Sequence, residues 1–220
     1  MECRVVQVEQ GSDEWLDLRR TRITCSRLAD VMAKPETKRY KQYRKEKVLE
    51  LLGNKDVEET PEWAQHGKEN EPRALKGYAW RYETPIEHNV FLIHKKHNWL
   101  SCSPDFLHLP DYDAGGEVKC RALYKNYKMH KQTAEHFKGT YRCIPASDRH
   151  QVQGAIWVTG FKYWWYVSFY IGSDLEGGEV QKIHRVACPR NPELIKTMEA
   201  RCLEFMKDCY ERAELEFKVR

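Results

Sequence analysis

No run of about eighteen apolar residues occurs in the chain, so nothing in it reads as a membrane-spanning helix. The first residues, MECRVVQVEQ, lack a basic stretch followed by an apolar one, which argues against a secretory leader. Eight cysteines are scattered with no C-x-x-C pair, which excludes the common spacings of zinc and dithiol redox sites. Free thiols in a reducing, cytoplasmic setting are therefore expected. Nor is there an H-E-x-x-H pattern, an internal repeat, a low-complexity tract or a recognisable linker. The histidines read as surface or core residues. A strong net charge is missing too: the excess is +4, too small to name a partner by itself.

What is present is an ordinary globular balance, 41% hydrophobic and 32% charged, long enough at 220 residues for one domain with a real core. The basic residues are unevenly spread. KPETKRYKQYRKEK (34–47) and RALYKNYKMHK (121–131) interleave lysine and arginine with tyrosine. That pattern suits a polyanion with stackable bases, and it equally suits solvated helix faces.

The expected element order is helices, then strands, then a closing helix. Residues 12–33 open with Ser12 as N-cap and carry Trp15, Leu18, Leu28 and Val31 at helical intervals, interrupted at Ile23-Thr24. Helices follow at 38–52, ending at Gly53, and at 60–82, with Thr60 as cap, Pro61 in the first turn and Pro72 as a kink or restart. Residues 86–94, 99–107 and 115–123 read as short strands. A helix at 146–160, two strands at 162–171 and 180–188, and an amphipathic helix at 191–215 complete an α/β chain with a mixed central sheet flanked by helices.

The chemistry concentrates in SCSPDFLHLPDYDAGGEVKC (101–120). If 99–107 and 115–121 form a hairpin turning about Asp111, paired residue numbers sum to 222 and Asp105 faces Glu117. Opposed side chains have Cβ atoms roughly 4.5–5.5 Å apart. Lys119 then projects on the same face as Glu117, while Val118 points into the core and leaves its carbonyl at the strand edge. Two carboxylates held so close repel unless a cation sits between them, and an oxygen-rich site of this kind suits Mg²⁺ or Mn²⁺. A lysine beside it can orient a water and neutralise a phosphate, the equipment for phosphodiester hydrolysis. Other copies of E-x-K, at Glu36–Lys38 and Glu216–Lys218, have no acid across a strand. The plainer alternative for the central copy is a surface hairpin with a cross-strand salt bridge.

SPD, with EVK twelve residues after Asp105, is preceded by GKENE (67–71) and followed by HQVQGAIWVTG (150–160). Together with EQGSDEWLDLRRTRITCS at the start, these segments resemble the YqaJ-type viral recombinases, the phage lambda-type alkaline exonucleases of the PD-(D/E)xK superfamily. The similarity runs in order through about the first three quarters of the chain. It implies a restriction-endonuclease-like fold and Mg²⁺-dependent 5′→3′ digestion of one strand of linear duplex DNA. Asp105, Glu117 and the Val118 carbonyl would be metal ligands, with two ions per site. Lys119 would handle the attacking water, and Glu71 would be the helix-borne acid completing the site.

The resemblance also implies a pocket for the terminal 5′-phosphate from Arg19, Ser26, Ser103 and Gln153. Gln151 is a further polar candidate. Lys125 stands where the family carries a basic residue, here lysine in place of arginine, without the bidentate fork. Trp63 lies near the position of an apolar strand-separating wedge, and as an alternative packs its own helix. A ring of three subunits, a phage single-strand annealing protein as partner, and the cytoplasm of a bacterial host belong to the same set of expectations. Competing readings are an endonuclease of restriction or nicking type on the same fold, and a DNA-binding module with a dead site. The second predicts loss of an acid or the lysine, yet Asp105, Glu117 and Lys119 are all present.

Overall fold

The computed structural model describes residues 1–54, 62–173, 178–215 and 217, without the side chains of 62–66 and 68. In chain order the elements are β1 (Cys3–Gln7), α1 (Asp13–Arg19), β2 (Ile23–Thr24), a 3₁₀ turn (Cys25–Arg27), α2 (Leu28–Val31), α3 (Lys38–Leu51) and α4 (Glu62–Arg81). Then come β3 (Ile86–Glu87), β4 (Val90–His94), β5 (Leu100–Cys102), β6 (Phe106–His108), β7 (Gly115–Arg121) and α5 (Tyr124–His136). After two further 3₁₀ turns, α6 (Arg149–Thr159), β8 (Tyr163–Ser173), β9 (Glu179–Pro189) and α7 (Pro192–Arg212) close the chain.

Local chemistry explains most boundaries. Ser12, Thr37 and Asn191 each accept a backbone N–H in the first turn of α1, α3 and α7, satisfying donors the helix leaves open. Helix α6 stops at Gly160, whose φ of 77° is the left-handed conformation that ends a helix without a Cβ penalty.

Two mixed sheets form, in the orders β1-β4-β5-β2 and β3-β6-β7-β8-β9, where one central sheet was expected. The split has two causes. Residues 86–94 do not make one strand: Asn89, at φ 60°, turns the chain so that β3 joins β6 while β4 is buried between β1 and β5. Residues 99–107 likewise divide at Ser103-Pro104, because proline has no N–H for a ladder, and β5 and β6 enter different sheets. Pro72 does not restart its helix; α4 continues past it. Ala74, Leu75 and Tyr78, beyond the proline, are buried with Phe106, Val118, Val167 and Phe169, so sheet packing holds the later turns in line. Thr60 and Pro61 lie outside the described residues.

The larger core joins the first sheet to α6, α7, α2 and α3 through Leu28, Tyr43, Leu92, Ile156, Met198 and Phe205. All eight cysteines are free, seven of them buried. His94 and His97, three residues apart, are also buried, among Trp99 and Trp157. Burial depresses both, His94 to about 4, as fits core histidines kept neutral.

Candidate active site

Strand β7 is the site's foundation, and a pair of glycines lets it sit where it does. A Cβ on Gly116 would lie 2.0 Å from the Phe106 ring, and one on Gly115 2.4 Å from Trp164. Without side chains there, two aromatic rings pack close to the strand start, Trp164 at Gly115 and Phe106 at Gly116 on the other face. The β6–β7 register pairs Phe106 with Gly116 and Leu107 with Gly115, sums of 222 that match the expected hairpin. Asp105 lies just before β6, and the same register extended by one residue leads to Glu117. The Asp105 N–H donates to the Gly116 carbonyl at 3.2 Å, and its Oδ2 accepts the Val118 N–H at 2.5 Å. A strand residue's N–H and C=O leave from the same edge, so the Val118 carbonyl opens beside Asp105.

Alternation gives β7 two unlike faces. Val118 packs into the cluster under α4. Glu117, Lys119 and Arg121 project the other way into a polar network. Lys119 Nζ donates to Glu117 Oε1 at 2.6 Å, and Gln151 Nε2 donates to the same oxygen at 2.6 Å. Gln151 Oε1 lies 3.4 Å from Lys119 Nζ, so one amide from α6 braces both side chains. Arg121 donates to the Tyr166 hydroxyl at 2.6 Å, and that hydroxyl donates to Asp148.

Burial, then Glu117 and Glu71, push the Asp105 carboxyl well above the usual carboxylate range, against Lys119 and the Val118 N–H. For Lys119, burial works against the ammonium, but Glu117 and Asp105 outweigh it and hold the pKa above its ordinary value.

Three acids therefore press on a region whose lysine is already engaged. Among the described residues no group of three or more His, Cys, Asp and Glu side chains forms a metal cage. The donor set is instead two carboxylates with a backbone carbonyl, and it fits Mg²⁺, which binds through one or two carboxylates and keeps waters and phosphate oxygens as its other ligands.

Glu71, on α4, and Asp105 line one cleft of about 630 Å³ with Trp15, Pro72, Lys76 and His88. Trp15 Nε1 donates to Ser103 Oγ at 2.9 Å, and the Arg19 guanidinium lies 4.2 Å from the Trp15 ring centre. The indole thus connects two of the expected phosphate-binding residues. Arg19 also lines a pocket of about 280 Å³ with Arg20, Arg22, Arg27 and Lys47. Ser26 is exposed, its Oγ 3.2 Å from Thr24 Oγ1, on the 3₁₀ turn against α6. The close approach of that turn and α2 to α6 depends on Gly154, where a Cβ would meet Cys25 Sγ at 2.9 Å and Leu28 at 2.1 Å.

Gln153 is placed differently from the expectation. It is fully buried; its amide donates to the Pro189 carbonyl at 2.8 Å and accepts the Asn191 N–H at 2.8 Å. Those bonds tie α6 to the end of β9 and leave the phosphate role to other groups. Lys125 is exposed in the first turn of α5. Trp63 falls within α4, but its side chain lies outside the described residues.

Sequence reasoning missed the connecting role of Trp15 and the Arg121–Tyr166–Asp148 group. Arg121 could have been found from strand alternation, being two residues beyond Lys119. Asp148 and Tyr166 carry no local signal, because the fold alone brings them to β7.

The sequence profile of the YqaJ-like viral recombinase domain matches residues 14–162. Comparison with curated proteins gives no match. Among solved structures, an alkaline exonuclease from Laribacter hongkongensis is similar, with 23% identity and a TM-score of 0.69 over 92% of this chain and 95% of that one. Its complex with dAMP gives 22% and 0.68 over the same shares. A phage-related exonuclease from Haemophilus somnus 129PT follows at 14% and 0.55, over 90% of this chain and 96% of that one. The fold is the restriction-endonuclease-like one these structures share. With two thirds of its length matched, the chain belongs to the YqaJ-like viral recombinase domain family.

Proposed function

We propose that the chain is a Mg²⁺-dependent 5′→3′ exonuclease that degrades one strand of linear duplex DNA from 5′-phosphorylated ends to mononucleotides. The observation that carries this reading is the Asp105 carboxylate bonded to the Val118 N–H between Glu117 and Lys119, with Lys119 bonded in turn to Glu117. Asp105, Glu117 and the Val118 carbonyl would hold the cation, with Glu71 reaching a second ion through the shared cleft; Mn²⁺ suits the same oxygen donors. The cation, when bound, supplies Lewis acidity toward the phosphate and lowers the pKa of a water.

The chain's own residues do the rest. Lys119, braced by Gln151, donates to the attacking water and orients it for in-line attack on phosphorus opposite the leaving sugar oxygen, or donates to a non-bridging phosphate oxygen. Arg19 and Ser103, linked through Trp15, receive the terminal phosphate, the guanidinium by its fork and the hydroxyl as a donor. Ser26 adds a hydroxyl from the neighbouring turn. A role in phage-type recombination follows from the family. A three-subunit ring, an annealing-protein partner and action in the cytoplasm of a bacterial host belong to the same proposal.

The test is digestion of end-labelled linear duplexes bearing a 5′-phosphate or a 5′-hydroxyl, with and without Mg²⁺, beside a closed circle. Mononucleotides released only with Mg²⁺ and preferentially from 5′-phosphorylated ends are expected. Cutting of the circle would establish an endonuclease instead.

A further inference from the structure

Helix α4 separates two grooves. On one side Glu71, Pro72, Leu75 and Lys76 line the cleft with Asp105. On the other, Gly77, Trp80 and Arg81 line a second groove of about 600 Å³, closed by α5 and the outer strands of the second sheet. Its surface combines rings and cations. Trp80 is 81% exposed, an unusual position for so large an apolar side chain. The Tyr124 ring, 41% exposed, stacks on Tyr127 with centres 5.9 Å apart and planes 14° apart. Lys182 Nζ lies 5.4 Å and Lys128 Nζ 5.8 Å from the Tyr124 ring centre. Arg81 and Lys131 add positive charge, with Glu135 the one acid lining the groove among the described residues.

We propose that this groove binds single-stranded DNA. The exposed Trp80 ring offers a face to unpaired bases, which a duplex keeps stacked on one another, and the cations around Tyr124 follow the phosphates. The placement suits the strand that digestion leaves behind. Trp80 lies nine residues beyond Glu71, a rise of about 13 Å on the opposite side of the same helix, so a strand leaving the cleft reaches it by rounding α4. The surviving strand therefore meets a stacking platform shortly after its partner is consumed, which hinders re-annealing and retains the enzyme. This biological role rests on the exonuclease reading; the binding itself does not.

The experiment is fluorescence anisotropy of labelled oligothymidylate with the full chain in EDTA, over a range of salt. Trp80→Ala, an exposed substitution, is expected to weaken binding about tenfold. Lys128→Ala combined with Lys182→Ala is expected to weaken it and to make the log–log salt slope shallower by about 1.4. Lys119→Ala is expected to bind oligothymidylate as the unsubstituted chain does while losing nucleotide release from duplexes in Mg²⁺.

Unchanged affinity in both groove variants overturns the proposal, whatever the nuclease assay shows. So does retained affinity with an altered sedimentation coefficient for Trp80→Ala, which would make this face a contact between copies. Loss of binding in the groove variants of a chain that releases no nucleotide supports the groove and overturns the exonuclease reading alone.

Discussion

The two faces of β7 are built from alternate residues of one heptapeptide, yet they obey different rules. One face carries Glu117, Lys119 and Arg121, each held by hydrogen bonds to groups from α6 or β8. The other carries Val118 against Ala74, Leu75, Tyr78 and Phe106, and Gly116 on that face admits the Phe106 ring. The first face holds charges that repel or overfill one another; the second excludes water and holds the strand in place. A site can tolerate that electrostatic tension because the opposite face anchors the same backbone.

Substitutions should therefore separate along this boundary. Lys119→Ala removes a group that acts on the reacting atoms and should lower the rate of nucleotide release by at least about 10²-fold, on the scale of one lost charge-stabilising donor. Its thermal midpoint in EDTA should fall, because Glu117 keeps its burial and loses its counter-charge, while far-UV circular dichroism should remain that of the folded chain. Activity beside an intact fold is the readout, and an unaltered rate would remove Lys119 from the chemistry.

Gly116→Ala tests the packing face. The added methyl must displace the Phe106 ring, and overpacking of this kind costs about 1–3 kcal/mol. Urea denaturation should show the midpoint falling with an unchanged m-value. A midpoint that stays put would mean that the ring moves freely and that the glycine has no such role.

Asp105→Asn sharpens the comparison most finely. Without a cation the Asp105 pKa is raised by burial and by Glu117 and Glu71, so the folded chain holds that proton to higher pH than the unfolded chain does. Stability linked to it is present below the unfolded carboxylate pKa and declines as pH rises through the folded value. Asn keeps an acceptor for the Val118 N–H and removes the charge. In EDTA at neutral pH the variant should melt about 3 °C above the unsubstituted chain, corresponding to about 1 kcal/mol.

That gap should narrow toward acid pH, and Mg²⁺ should raise the midpoint of the unsubstituted chain more than that of the variant. Buried His130, depressed to about 3, and His94, to about 4, act in the opposite direction, since the unfolded chain protonates them first. Only the difference between the two proteins isolates Asp105. An equal Mg²⁺ response in both would argue that the cation binds elsewhere.

The hairpin register was legible because a single sum relates all its pairs, and alternation then places Glu117 and Lys119 together. Helix starts at Ser12, Thr37 and Asn191 were accessible for a similar reason, since capping is decided within four residues. Gln151 and Gln153 show the limit. Both are glutamines on α6, two residues apart, so the helix turns them some 200° from each other. One meets the acid and lysine of β7; the other is bonded to the end of β9 and the start of α7. No local pattern distinguishes them, because their neighbours are distant in sequence.

By itself the sequence determined the α/β composition, the helices at α1, α3, α4, α6 and α7, and the β6–β7 hairpin register, all set by periodicity, capping and turn chemistry over short spans, while β1 and α5 were not among its expected elements. Tertiary structure alone decided that two sheets form, that Gln151 braces the site while Gln153 supports the frame, and that Trp15 joins Arg19 to Ser103. It also placed Trp80, Tyr124 and Lys182 around one groove. Each of those outcomes depends on which remote surfaces become buried together, and burial is a property of the whole packed chain.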